Sequence, residues 1–116
     1  MLPTTLPTVY MVAWLTTTVD TEAAAHQLAD AGVRARLTAC AQVEAIHSHY
    51  WWQGVLQQGA EWRITWKTTP AQLPALHQRL APMHPYDLPQ WLWGECQASA
   101  AYGQWVAAEV TPPQQA

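Results

Sequence analysis

The sequence of 116 residues contains no phenylalanine, and only 11% of its residues are charged. A monomer must cover its whole surface with solvated groups, so this charged fraction is low for a chain that stands alone. Aromatic bulk comes instead from eight tryptophans, whose rings are favoured at surfaces that are apolar yet must hydrogen-bond, as at subunit interfaces. The composition therefore favours self-association, and a tryptophan-rich but ordinary core is the alternative.

Positive charge is also scarce, with five Lys and Arg and a formal net charge of −3. The five residues form no cluster, whereas a protein that binds nucleic acid needs a basic surface for the phosphates. No apolar run approaches the roughly 20 residues of a membrane helix. Neither nucleic acid nor a membrane is therefore an expected partner.

Cysteine is limited to Cys40 and Cys96, far apart in the sequence. No basic segment followed by an apolar one precedes the domain, so a secretory signal is not predicted. Two isolated cysteines fit reduced thiols better than a disulfide framework, although a bridge between them stays open. The sequence thus predicts a cytoplasmic protein.

Catalytic motifs are missing as well. We find no nucleophile elbow, phosphate-binding loop or metalloprotease motif. A thiol enzyme built on Cys40 and His84 would need a third group to orient the histidine, and none is evident. We therefore predict that the chain is not an enzyme.

The first half of the chain shows strand, helix and hairpin patterns. Residues 9–16 form an apolar, β-prone run that suits a central strand. Asp20 looks like the N-cap of a helix that Gly32 would end. Extended structure follows over residues 37–50, and a turn region over residues 53–60 joins it to a strand with alternating Trp62, Ile64 and Trp66. The two strands make a hairpin with long arms, whose edge must be covered, charged or paired.

The second half predicts a helix beginning near Pro74, a strand over residues 90–96 and a last helix over residues 98–109. The order βαββαβα gives an α+β, ferredoxin-like sandwich with a long β-hairpin and an extra C-terminal helix. We expect one domain over residues 8–110, with disordered ends at residues 1–7 and 111–116.

Six short segments then occur in a recognisable order. They are Arg36-Leu-Thr-Ala-Cys40, Ser48-x-Tyr-x-Trp-x-Gly54, Glu61, Lys67-Thr68, His84-Pro-Tyr-Asp-Leu-Pro89 and Tyr102-x-x-Trp105. Together they resemble the CutA family of divalent-cation tolerance proteins, from about Val9 to Glu109. The second segment and the His-Pro-Tyr-Asp-x-Pro segment carry most of the specificity.

The resemblance implies a ferredoxin-like fold and a tight homotrimer in which the long hairpins pair with neighbouring subunits. It also implies a cytoplasmic protein linked to copper and other divalent cations. An architecture shared with PII-type signalling trimers suggests an alternative, a module that binds a small ligand between subunits. A trimeric scaffold without a ligand is a third possibility.

The sequence departs from the family pattern where a copper site would be expected. Some members have a cysteine at the end of the first strand, and this chain has Thr17. Some have two histidines before the Pro-Tyr pair, and this chain has Met83 and His84. Cys40, Met83 and His84 have the chemical softness that copper prefers and are the candidate metal ligands, although the sequence does not show that they converge. The alternatives are an inert buried thiol at Cys40 and a helix cap at His84.

Two further groups are candidates for binding. His47 and His49 lie two apart on a strand and could chelate one ion on a shared face, although solvated polar positions are the simpler interpretation. The aromatic residues of the hairpin could pack in the core or between subunits. We place at the expected subunit interface Tyr50, Trp52, Trp62 and Trp66.

Overall fold

The computed structural model describes residues 9–112 and confirms the expected order of elements. The strands are β1 (Val9–Val19), β2 (Cys40–Trp52), β3 (Val55–Thr68) and β4 (Leu92–Ser99). The helices are α1 (Glu22–Arg34), α2 (Leu73–Leu80) and α3 (Ala100–Glu109), with a 3₁₀ turn over Ala81–Met83 after α2. The first seven residues, expected to be disordered, lie outside the described part of the chain.

The four strands form one antiparallel sheet in the order β2-β3-β1-β4. In the register, Leu15 lies opposite Trp66 of β3 and Trp93 of β4. Helices α1 and α2 cover one face of the sheet, over a core that contains Leu15, Leu28 and Leu76. This α+β arrangement is the predicted ferredoxin-like fold.

Helix α1 differs in its ends from the sequence prediction. Its N-cap is Thr21, not Asp20, and the Thr21 hydroxyl accepts a hydrogen bond from the Ala24 amide. Gly32 does not end the helix but lies buried within it, where an added Cβ would come within 3.0 Å of the Trp66 indole nitrogen. The left-handed residue after the helix is Arg36, with φ of 60°. Gly32 thus serves close helix–sheet packing.

The hairpin between β2 and β3 is longer than predicted because its turn is shorter. Only Gln53 and Gly54, both with positive φ, connect the strands, as in the two-residue turns that suit a twisted hairpin. Gly59, expected in the turn, pairs with Ser48 inside the ladder. Since β1 ends opposite Trp62, residues 46–61 extend beyond the rest of the sheet. We call residues 46–61 the arm.

Two elements of the second half also shift. Strand β4 spans Leu92–Ser99, two residues after the predicted start, and α2 begins at Leu73 instead of Pro74. Helix α3 covers part of the opposite sheet face, where Val106 packs against Val12 in a second, small core. Thr111, expected in a disordered tail, donates its amide to the Arg36 carbonyl, and residues 113–116 lie outside the described part.

The single domain over residues 8–110 stays a prediction. Among residues 9–112, no helix has the length and apolar character needed to cross a membrane.

Candidate functional site

His84 lies at the turn that follows α2. The 3₁₀ turn over Ala81–Met83 ends at His84, whose backbone is extended, and Pro85 next to it cannot continue a helix. The chain then passes the end of β1, where the His84 Nε2 atom comes within 2.8 Å of the Thr17 hydroxyl oxygen. The residue is therefore fixed between a helix end and the central strand.

The hydrogen bonds of His84 define its tautomer. Its Nδ1 atom accepts from the Tyr86 backbone amide at 3.1 Å, so the proton of a neutral ring is on Nε2. Nε2 donates to the Thr17 hydroxyl, which in turn donates to the Gln90 carbonyl at 2.5 Å. Both ring nitrogens are therefore engaged, and neither presents a free lone pair to a metal ion.

Burial also favours the neutral form of the His84 ring. It lowers the pKa of His84, because desolvation disfavours the charged ring, and the Thr18 backbone and the charge of Asp20 oppose the shift only in part. A neutral imidazole fits a hydrogen-bonded chain in which one nitrogen donates and the other accepts. The arrangement identifies His84 as a structural residue of this turn.

The three expected metal ligands do not converge. Cys40 lies opposite Lys67 in the register, one residue from the buried Trp66, so it faces away from α1 and α2. His84 binds Thr17 on the side of the sheet that these helices cover. The sequence left open whether Cys40 and His84 converge, and in a single chain they do not, because the sheet lies between them.

Met83, the third expected ligand, ends the 3₁₀ turn next to His84 and is 44% exposed. Among residues 9–112, no three His, Cys, Asp or Glu side chains gather in a way that would hold a metal ion.

Cys40 instead has a tyrosine neighbour. Its sulfur lies 3.5 Å from the Tyr102 hydroxyl of α3, whose ring stands near that of Trp105 with centroids 5.6 Å apart. Burial and then the contact with Cys40 raise the pKa of Tyr102 to about 12. The Tyr102 hydroxyl therefore keeps its proton at neutral pH.

A cleft of about 630 Å³ lies between the arm and the loop over residues 85–90. The Tyr86 hydroxyl donates to a Glu61 carboxylate oxygen at 2.7 Å and so ties the loop to β3. Burial raises the pKa of Tyr86, with Glu61 adding to the effect, which keeps this donor protonated. Both diagnostic segments of the sequence contribute to the lining, which includes Ser48, His49, Tyr50, Trp52, Glu61, Arg63, Pro85, Tyr86, Asp87 and Leu88.

The cleft was not predicted from the sequence, although Glu61 and the Tyr86 segment had been noted separately. A hydrogen bond between side chains 25 positions apart leaves no local pattern. The signal that could have found it is that Glu61 and Tyr86, both in family segments, had no assigned role.

The four expected interface residues differ in exposure. Tyr50 and Trp52 on the arm are 47% and 43% exposed, so both present free surface. Trp62 is half-buried against the core. Trp66 has no exposed surface and packs under α1 and α2, so its assignment to a subunit interface is wrong. Five further apolar residues at the strand ends are exposed and had no predicted role at an interface: Trp51, Val55, Leu56, Leu92 and Trp93.

Comparisons with known proteins agree on one family. The sequence model of the CutA1 divalent ion tolerance protein family matches residues 13–109. A divalent-cation tolerance protein CutA from Thermotoga maritima is 41% identical over 54 residues, which are 47% of this chain and 54% of that protein. The match to a CutA 1 protein from Oryza sativa covers 48% of that protein. The chain therefore spans about half the length of these curated relatives.

Solved structures give fuller coverage. The structure of CutA from Synechococcus elongatus is 40% identical, with a TM-score of 0.84 over 91% of this chain and 95% of that one. A second structure of that protein, complexed with a Bis-Tris molecule, is 38% identical, with a TM-score of 0.79 over 90% of this chain and 98% of that one. On the match over residues 13–109, supported by these structures, this chain belongs to the CutA family of divalent-cation tolerance proteins.

Proposed function

We propose that this chain acts in divalent-cation tolerance as a cytoplasmic homotrimer that binds copper or another divalent ion. The names of its relatives support the link to divalent cations, and the two free thiols support a reducing compartment. The observation that carries the assembly is the arm. No catalytic step is part of the proposal.

The arm extends the molecule far beyond its core. Seven residues of each strand continue past the end of β1, a length of about 23 Å at the rise of a β-strand. The radius of gyration is 16.6 Å, against about 13 Å for a compact chain of this size. An isolated hairpin of this kind is only marginally stable in water. It needs a second surface to rest on.

The chemistry of the arm indicates that this surface is protein. Residues 46–60 contain no Asp, Glu, Lys or Arg, although exposed edge strands are commonly protected by charge. Trp51, Val55 and Leu56 are 72%, 56% and 60% exposed. An uncharged edge with exposed apolar side chains suits pairing with another chain.

The opposite edge of the sheet offers a matching surface. Strand β4 forms that edge, and its Leu92 and Trp93 are 52% and 57% exposed. The arm of one copy can pair with the β4 edge of the next, which is a head-to-tail contact between two different surfaces. Such contacts form a closed ring when the rotation from one copy to the next returns to the first copy. The family resemblance implies a ring of three copies.

The assembly is tested by light scattering on the purified chain. We expect three times the 13.0 kDa mass of one chain at micromolar concentration. Leu56→Glu places a charge on the arm and should reduce the mass, whereas Val33→Glu, at a 37% exposed position on α1, should not. A monomeric or dimeric wild-type mass would contradict the trimer.

A second candidate function, binding of a small molecule, is favoured by the cleft. It combines aromatic surface from Tyr50 and Trp52 with polar groups from His49, Arg63 and Asp87, a mixture typical of ligand sites. The related CutA of Synechococcus elongatus has been solved with Bis-Tris. Calorimetry with Bis-Tris should show saturable heat that Trp52→Ala weakens and Trp105→Ala does not. Heat equal to a buffer blank would remove this candidate.

A further inference from the structure

The arm carries two histidines whose environment is the opposite of that of His84. His47 and His49 are exposed on β2, and their ring centroids lie 5.3 Å apart. The hydrogen bonds found among residues 9–112 involve neither ring, whereas both nitrogens of His84 are engaged. Each of the two rings therefore keeps a nitrogen lone pair that no protein donor uses.

The spacing of the two rings fits chelation of one ion. An ion about 2.0–2.1 Å from one nitrogen of each ring lies about 3.2 Å from each ring centre, so the two centres stand about 5 Å apart at a tetrahedral angle. The observed 5.3 Å needs only a small side-chain adjustment. The rings are tilted by 59° to each other, so they are not stacked face to face.

The backbone beneath the rings is a regular β-ladder, which the proposed assembly would hold in place. His47 pairs with Ala60 and His49 with Gln58, in a ladder that continues without interruption to the tight turn at Gln53. Alternate residues of a strand point to the same face, about 7 Å apart along it. A chelating pair held on a regular hairpin loses less conformational entropy on binding than one on a loop.

We propose that His47 and His49 form a chelate site for a borderline transition-metal ion such as Cu²⁺ or Zn²⁺. Imidazole favours these ions over Mg²⁺ and Ca²⁺, which prefer oxygen ligands. Two protein ligands leave the remaining positions open to water, as in accessible metal sites. The assignment rests on the proposed function, that the chain binds divalent ions, and names the residues that do so.

The test is a calorimetric titration of the untagged protein with CuCl₂ and, separately, ZnCl₂. We expect one saturable site per chain and no comparable heat with MgCl₂. Removing a group that only hydrogen-bonds to a metal ligand lowers metal affinity about 10-fold or more, so removing a ligand itself should cost at least as much. His47→Gln and His49→Gln should each weaken binding at least that much, and the double variant should abolish the saturable site. His26→Gln, at a lone exposed histidine on α1, is the matched control and should bind as the wild type does.

A second measurement keeps the assignment independent of any change in folding. Substoichiometric Cu²⁺ should broaden the imidazole NMR signals of His47 and His49 before those of His26 and His77. Undiminished affinity in the double variant would overturn the histidine pair while leaving divalent-ion binding in place. Wild-type heats equal to a buffer blank would overturn both. Equal affinity for Mg²⁺ would overturn the imidazole chemistry.

Discussion

The His84 turn and the arm use their side chains in different ways. At the turn, one hydrogen-bonded chain joins the Tyr86 amide, the His84 ring, the Thr17 hydroxyl and the Gln90 carbonyl, and it closes within the protomer. On the arm, aromatic side chains are exposed, and the imidazoles of His47 and His49 have no hydrogen-bond partner in the described part of the chain.

This difference indicates where the molecule meets other molecules. A polar group that is already satisfied inside the fold gains little by binding a ligand, because it must first give up its partner. An unsatisfied group or exposed apolar surface has no such cost. Each of the two regions carries one of the two diagnostic family segments, yet only the arm has groups that remain free.

The largest effect is expected from comparing a tryptophan of the core with a tryptophan of the arm. Trp66 is fully buried, so Trp66→Ala should lower the free energy of unfolding by about 3–5 kcal/mol at any protein concentration. Trp51 is 72% exposed, so Trp51→Ala should act only through assembly, with a loss that depends on protein concentration. Chemical denaturation at two concentrations measures both.

Trp66→Phe sharpens this result. Among the described residues, the Trp66 indole nitrogen is buried without a hydrogen-bond partner, so phenylalanine removes both volume and an unsatisfied donor. It should cost clearly less than alanine. An equal loss for the two variants would contradict this expectation.

The next largest effect concerns Thr17. Thr17→Val keeps the shape but leaves the His84 Nε2–H and the Gln90 carbonyl without a partner, at a cost of about 1–3 kcal/mol. The control is Thr18→Val on the other face of β1, whose hydroxyl makes no side-chain hydrogen bond in the described region. The free energy of unfolding is measured by urea denaturation. Equal losses in the two variants would mean that the hydrogen bonds of Thr17 do not contribute to stability beyond the change of side chain.

Thr17→Cys tests whether the turn can become a copper site. Since the Thr17 oxygen lies 2.8 Å from His84 Nε2, the variant would place a soft sulfur beside an imidazole, a combination suited to copper(I). Binding requires that the ring proton leave Nε2, which no longer has the Thr17 hydroxyl as its acceptor. We expect at least about tenfold tighter binding, or about 1.4 kcal/mol, in a competition assay with a colorimetric chelator. Thr18→Cys adds a thiol away from His84, and equal gains in both variants would exclude a site at the turn.

Much of the fold could be predicted because its signals are local. The strand alternation at Trp62, Ile64 and Trp66, the positions of the helices and the existence of a long hairpin all follow from neighbouring residues. The predicted turn over residues 53–60 was too long because two glycines could end it. Gly59 resembles a turn glycine, but Gln53 and Gly54 already close the hairpin.

The metal site could not be predicted in the same way. Whether Cys40 and His84 meet depends on which sheet face each occupies, and a shift of one residue in the register reverses the face. Cys40 lies opposite Lys67 and not Trp66, a long-range pairing that composition and spacing do not determine. The buried position of Trp66 depends on the same choice of face.

The smallest expected effect is a pH dependence that belongs to the turn. The pKa of His84 is lowered in the fold from its ordinary value of 6.5, mainly by burial. Below pH 6.5 the unfolded chain therefore binds more protons at this residue than the folded one, so acid favours unfolding. The contribution of His84 to the free energy of unfolding is complete above pH 6.5 and is lost as the pH falls toward the lowered pKa.

The variant His84→Asn tests this pH dependence. It keeps an acceptor for the Tyr86 amide but does not titrate, so its stability should decline less between pH 6.5 and 5 than that of the wild type. Parallel curves from denaturation at several pH values would mean that His84 titrates alike in the folded and unfolded states.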